Sequence, residues 1–172
     1  SDKEEKLEKT KRSIFDMLPE LIAKQTRTKR SEVGIYFGYN GIRTAHEHIY
    51  TKLKRGDEYY YLGVPAYQPE EQHIYWQKDH LTRIKAGIKF KALFNKGVDS
   101  RIVKNRNSYR GADVKIMESE IKTPATFAIF ADTIVIVLQH PEAIAVEIIN
   151  QSIADSFKAY FDEFWKRSKE IK

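Results

Sequence analysis

The sequence predicts an α/β domain on a mixed sheet: a βαβαβ half, then antiparallel strands and a C-terminal helix, with a separate helix in front. Three observations predict it. Short apolar runs alternate with amphipathic stretches from Glu32 to Asn95, the pattern of strands crossed over by helices. Two β-branched runs, Thr126–Leu138 broken at "AD" and Ala143–Ile149 after "QHPE", are joined by turns too short for a crossover helix and so pair antiparallel. Ahead of both, Leu7, Ile14 and Leu21 recur at seven among Lys and Glu, the seam of a short coiled segment.

The elements follow in order. Glu4 to about Gln25 reads as a helix, with Leu18 and Ile22 filling its seam and Pro19 predicting a kink or break near Leu18. About three heptads do not stand alone in water, so this helix needs a partner. "VGIYFG" is a short buried strand ending in the turn "YNG". "IRTAHEHIYTKLKRG" is a helix with Ile42, Ala45, Ile49 and Leu53 on one face and Gly56 as its stop. "EYYYLGV" is the second strand. Pro69 and two glutamates open a helix that runs to Gly87, and "IKFKALFN" is the third strand. Three strands linked this way predict a largely parallel first half. "GVDSRIVKNRNSYRG" is a polar, basic connection with room for one short helix, and "DVKIM" is a strand. After the antiparallel strands, "SIADSFKAYFDEFWKRSK" closes the chain as a helix. Ser152 and Asp155 suggest a capping box there, with Ile153, Phe157, Phe161 and Phe164 or Trp165 as the buried stripe.

At 172 residues, with 41% hydrophobic and 31% charged residues, the chain is one globular domain with an appendage. Two segments are expected: 1–31, a helical dimerisation and linker segment, and 32–172, the globular domain. No apolar run is long enough to span a membrane, and the first dozen residues lack the apolar core of a signal peptide. The absence of cysteine excludes disulfides, thiol catalysis and Cys-bound metal, and fits a reducing, cytoplasmic setting. The net charge is +6. Its densest local excess is "KQTRTKR", either a solvated connector or a contact to phosphate backbone.

The chemistry-bearing residues are few. The five histidines show no metal-ligand spacing: His46 and His48, two apart on a helix, face different ways. No cofactor is expected. "GYNG" is neither a P-loop nor a dinucleotide fingerprint. Ligands of such sheets bind at the C-terminal ends of parallel strands. Those ends, with the basic connection, offer Tyr39, Asn40, Arg43, Tyr67, Asn95 and Arg106 as ligand-binding candidates, and Arg83 behind them. Hydrogen-bonding aromatics with a fixed positive charge suit a sugar or nucleotide better than proton abstraction. The same residues also serve as plain turn chemistry and exposed tyrosines. "RIVKNRNSYRG" reads either as a phosphate grip or as a mobile surface loop, the latter favoured. No nucleophile pattern occurs. Glu147, which interrupts the last apolar strand, either faces solvent, the favoured expectation, or points into a site.

Taken together, "YFGYNGIRTAHEHIY", "YYYLGVPA", "HLTRIKAGIKFKALFN", "TPATFAIFADTIVIVLQ", "PEAIAVEIIN" and "IADSFKAYFDEFWK" resemble, in order and spacing over Val33 to Trp165, the C-terminal effector domain of TrmB-like archaeal transcriptional regulators. The resemblance implies a phospholipase D type of fold behind a helical dimerising segment. It also implies a winged helix ahead of both that reads DNA, which this chain lacks, so a fragment is expected. Sugar-responsive members bind their effector in this domain. The implied partners are a second copy, a small effector such as a sugar or other polar metabolite, and DNA through the missing part. The phospholipase D signature is H-x-K-x-x-x-x-D. Counting back from Asp132 places Ala125 at the histidine and Phe127 at the lysine, so only the acid is kept and no enzyme is expected. The alternatives are a phosphodiesterase-like hydrolase of altered mechanism and a purely structural dimeriser.

Overall fold

The structure, a computed structural model, describes residues 1–26 and 31–169, the side chains of 21–26 excepted. It divides into two compact units, Ser1–Ser31 and Glu32–Lys172. The first is helix α1, Asp2–Thr26. Asp2, Glu4 and Glu5 in its first turn complement the positive end of the helix dipole. The expected break at Leu18 does not occur: α1 runs on past Pro19 to Thr26. Leu7, Ile14, Phe15 and Met17 are all exposed on it. The basic stretch Lys24–Arg30 lies outside the residues whose side chains are described.

The second unit carries β1 (Glu32–Phe37), α2 (Gly38–Lys52), β2 (Glu58–Val64), α3 (Glu70–Ala86), β3 (Lys89–Phe94), α4 (Ser100–Asn107), β4 (Ala112–Ile116), β5 (Ala125–Phe130), β6 (Thr133–Leu138), β7 (Ile144–Ile149) and α5 (Gln151–Arg167). The strands form one mixed sheet in the order β1-β7-β6-β5-β2-β3-β4. β2, β3 and β4 are parallel neighbours; the other pairings are antiparallel. The largely parallel first half is therefore corrected at β1. That strand does not lie beside β2 but pairs with β7 at the far edge, Glu32 opposite Ile149 through Phe37 opposite Ile144. β2 is buried along its last four residues and needs neighbours on both sides. β3 takes one side and the β5–β6 hairpin the other, with Tyr61 opposite Ala128, which leaves β1 the edge.

Several local signals act elsewhere than the sequence suggests. α2 already begins at Gly38, inside the expected turn, and its cap is Leu53. Gly56 instead sits at φ 96 in the loop after it, donating its N–H to Gly87 O at 2.9 Å. α3 ends as expected at Gly87, left-handed at φ 74. The favoured mobile loop after β3 is the helix α4. Asp99 caps it by accepting from Arg101 N at 2.8 Å, and Val103 and Arg106 are buried on it. α5 is capped by Asn150, whose side chain accepts from Ile153 N at 3.0 Å, two residues before the expected box. Ile153 is exposed, and Phe161 anchors the buried face.

Alternation along the strands splits the core in two. On one face of the sheet Tyr59, Tyr61, Phe90, Ala128 and Val135 pack with residues of α2 and α4; on the other Leu62, Leu93, Ile129 and Ile134 pack under Phe161 of α5.

Candidate functional site

The first face has polar chemistry inside its core. His46 of α2 lies beneath Tyr61 of β2 and beside Asp79 of α3. Its Nδ1 is 2.6 Å from the Tyr61 hydroxyl and its Nε2 2.8 Å from Asp79 Oδ2. Tyr50 donates to the other carboxylate oxygen at 2.7 Å, and Trp76 meets the imidazole edge-on at 4.8 Å. Burial alone would raise the Asp79 carboxyl, but His46 and the Tyr50 hydroxyl outweigh it and hold it below its ordinary value. Burial and Asp79 push the Tyr50 phenol up, so it stays a donor. Both ring nitrogens of His46 are thus engaged, one by Asp79 and one by the Tyr61 hydroxyl.

Next to Asp79 on α3, His80 stacks on Tyr109 at 4.7 Å. Burial, then Arg83 and Arg106, push its pKa down to about 3, so the ring is neutral. Arg83 is fully buried. It donates to Ile88 O at 2.8 Å and Arg110 O at 3.0 Å, tying α3 to the starts of β3 and β4. Arg106 of α4 is 5% exposed. Its Nη1 donates to Asn105 Oδ1 at 2.9 Å, and its Nη2 lies 3.1 Å from His73 Nδ1. Burial lowers this guanidinium from its ordinary value, and burial with Arg106 lowers His73.

These groups surround a cavity of about 50 Å³, room for about four waters. It lies beside the ends of β2 and β3, at Val64 and Phe94, and the start of β5, at Thr126. Tyr59, Tyr61, Trp76 and Phe90 wall it; His46, Asp79, His80 and Arg106 reach it from the helices; Gln68 and Gln139 complete the lining. In the lining, Gln139 Oε1 is short of a partner; elsewhere on α3 both amide atoms of Gln72, which is wholly buried, are too.

The six sequence-predicted residues are not brought together. Arg106 lines the cavity. Tyr39, half-buried in α2, donates to Gln139 O at 3.2 Å, next to it. Asn95 is buried and donates to Thr123 O at 2.9 Å, leaving its Oδ1 unpartnered. Arg43 stacks over Tyr75 at 4.7 Å. Asn40 is exposed in the first turn of α2, and Tyr67 is 71% exposed. Arg83 is a brace for main-chain carbonyls and is not among the lining residues. Sequence reasoning missed His46, Asp79 and His80. Their signal was charge inside an apolar stripe: His46 shares a helix face with Ile42, Ala45 and Ile49, and Asp79, His80 and Arg83 continue the face that Trp76 begins.

The signature position lies on the opposite face. Thr126 reaches the cavity; Ala125 and Phe127 alternate away from it. Phe127 packs on Phe157 of α5 at 5.2 Å and lines a second cavity of about 110 Å³ with Leu62, Met117 and Phe164. Asp132 sits in the β5–β6 turn, after Ala131 at φ 48. It accepts from Lys52 Nζ of α2 at 2.8 Å, which holds its carboxyl below the ordinary value. Glu147 corrects its expectation of facing solvent: it is 4% exposed, accepts from Tyr36 at 3.0 Å, and lies 2.7 Å from His48 Nδ1. The reason is that α2 covers this face of β7. Among the described residues no three His, Asp or Glu side chains group as metal ligands, and no helix is long and apolar enough to cross a membrane.

No family model and no curated protein matches the sequence. Solved structures match in fold. TrmBL2, an archaeal chromatin protein whose structure shows a novel mode of DNA binding, aligns with a TM-score of 0.57 at 13% identity, over 99% of this chain and 67% of its own. NucT from Helicobacter pylori aligns at 0.58 and 8% identity, over 83% of this chain and 100% of its own. Nuc from Salmonella typhimurium, a phospholipase D family member, aligns at 0.63 and 13%, over 83% and 99%. At such identities the likeness is one of architecture, and the chain has the α/β fold of the phospholipase D family.

Proposed function

We propose that this chain is the effector-sensing and dimerising part of a DNA-binding regulator, and that it does not catalyse. One observation carries the reading: a half-open, partly polar cavity lies beside the strand ends, on the face of the sheet turned away from Ala125 and Phe127. Those two side chains offer neither nucleophile nor phosphate contact. The likeness to TrmBL2 supports the link to DNA. Dimerisation is supported by two exposed apolar surfaces, the α1 seam and the outer side of β1. On β1, Val33, Ile35 and Phe37 are 69%, 57% and 68% exposed and stand across from Ile148, Val146 and Ile144 of β7. Ligand alters such a dimer only by binding one arrangement better than the other.

The test is a thermal-shift panel of sugars, nucleotides and small organic acids on the whole chain, since a ligand that binds only the folded state raises its melting temperature. At least one class should stabilise. No hit across the panel removes the sensing role and leaves a structural dimeriser. Mass in solution separates the contacts: Ile35→Lys with Phe37→Lys should give monomer if the sheet is the main contact, and deletion of residues 1–31 should do so if α1 is.

A second reading, a hydrolase of altered mechanism, is favoured by the buried His46–Asp79 pair. Against it, the hydroxyl that His46 meets is that of Tyr61, a buried core residue and not a serine or threonine nucleophile. Hydrolysis of bis(p-nitrophenyl) phosphate should stay at background; turnover lost in Asp79→Asn would establish the hydrolase instead.

A further inference from the structure

The sensing proposal leaves the ligand's class open, and the charge inside the first face narrows it. Arg106 is almost fully buried, yet its hydrogen-bond partners Asn105 and His73 are both neutral acceptors. Among the described residues it has no carboxylate within ion-pair distance. A guanidinium carries five N–H donors, and these two contacts use two of them. A buried cation without a counter-charge is costly to keep. The nearby groups do not supply one: Asp99, which shares a surface pocket with Arg106, is paired with Arg101. Arg83 is a second buried cation, and it spends its donors on main-chain carbonyls and on His80. The one carboxylate lining the cavity, Asp79, is already held by His46 and Tyr50. Two cations against one anion leave the cavity region positive whichever way His46 is protonated. In the same lining, Gln139 Oε1 has no partner in the protein.

The rest of the lining says what the anion is attached to. Tyr59, Tyr61, Trp76, Phe90, Phe94 and Val137 present ring faces and methyl groups. A disaccharide needs many hydrogen-bond partners and more room than about four waters occupy. A phosphate dianion would bring two negative charges beside the Asp79 carboxylate, which also lines the cavity. From the uncompensated Arg106 and these apolar walls we infer that the cavity binds a small monocarboxylate with an apolar or aromatic body, its carboxylate on the Arg106 guanidinium and its body among the rings. Arg106 then gains the fork-shaped pairing for which its planar donors are suited, and ligand entry supplies a charge that the empty fold lacks. The inference rests on the sensing reading in taking this cavity as the effector site, and it replaces the sugar expectation.

The experiment is calorimetric titration and thermal shift of the whole chain with pyruvate and benzoate, against benzamide, inorganic phosphate and maltose. Benzoate or pyruvate should bind and raise the melting temperature, benzamide should not, and Arg106→Gln should weaken binding at least tenfold while Arg106→Lys weakens it less. Trp76, in the lining, gives a fluorescence readout on the unaltered protein, so the benzoate–benzamide contrast stands even if Arg106→Gln fails to fold. Equal binding of benzoate and benzamide overturns the proposal, as does phosphate binding without carboxylate binding. Maltose binding without carboxylate binding overturns it and leaves the sensing role in place; no binding by any probe in this set or in the wider panel removes both.

Discussion

The two faces of this sheet are built from the same seven strands and opposite chemistry. Under α5 the contacts are rings and aliphatic chains: Phe161 against Tyr60 at 5.0 Å, Phe127 against Phe157 at 5.2 Å. Under α2, α3 and α4 the core holds His46, Asp79, His80, Arg83 and Arg106, all under 9% exposed. The first kind of core tolerates changes of shape while it stays apolar. The second depends on each partner being present, because a buried polar group that loses its partner bears its full desolvation cost. That difference also locates the candidate chemistry. The face that carries Phe127 is packed under α5, and the other holds the ionisable groups.

The largest expected contrast comes from one substitution on each face. Asp79→Leu strands His46 and Tyr50 and should cost about 3–5 kcal/mol, while Phe161→Leu should cost about 1–2 kcal/mol; urea unfolding measures both, and equal losses would break the comparison. Acid provides the next test. Folded His80 titrates at about 3 and the unfolded residue near 6.5, so the unfolded chain binds more protons between these values. The stability tied to His80 is complete above pH 6.5 and drains as pH falls toward 3. From pH 7 to 5 this amounts to about 2 kcal/mol, and His80→Phe, which keeps the stack on Tyr109, should flatten that slope.

A finer distinction lies in the helix supports. Asn107 both donates to and accepts from Val114, at 3.0 and 2.7 Å, fixing the end of α4. Asn107→Ala should cost about 1–2 kcal/mol and weaken ligand binding at Arg106. Asn150→Ala, which removes the cap of α5, should cost about 1 kcal/mol and leave binding unchanged. The smallest effect belongs to neither face: Ala131→Gly at the left-handed turn residue should gain at most about 1 kcal/mol in melting experiments.

Legibility followed the range of the interactions. β6 was readable to the residue, because its β-branched run is bounded by its own turns. The ends of α2 were not, since Gly56 is a stop signal that the neighbouring loop uses instead. Asn150 took the cap from Ser152, as both residue types are competent caps and the local sequence does not choose between them. The position of β1 could not be read, because the partner of Glu32 is Ile149 and nothing near Glu32 encodes it. For the site, Arg106 was visible as a basic residue by an aromatic. The His46–Asp79 pair was invisible to spacing, since it joins two helices 33 residues apart.

The edge place of β1 also bears on how the chain is made. Tyr36 reaches Glu147 across 111 residues, so during synthesis the strand emerges early and its partner late. At the usual pace of a ribosome the interval is on the order of ten seconds. Throughout it Val33, Ile35 and Phe37 have no strand to pair with. The nascent domain therefore carries a wholly unpaired strand until its last strand arrives, and this interval is where a chaperone would be needed.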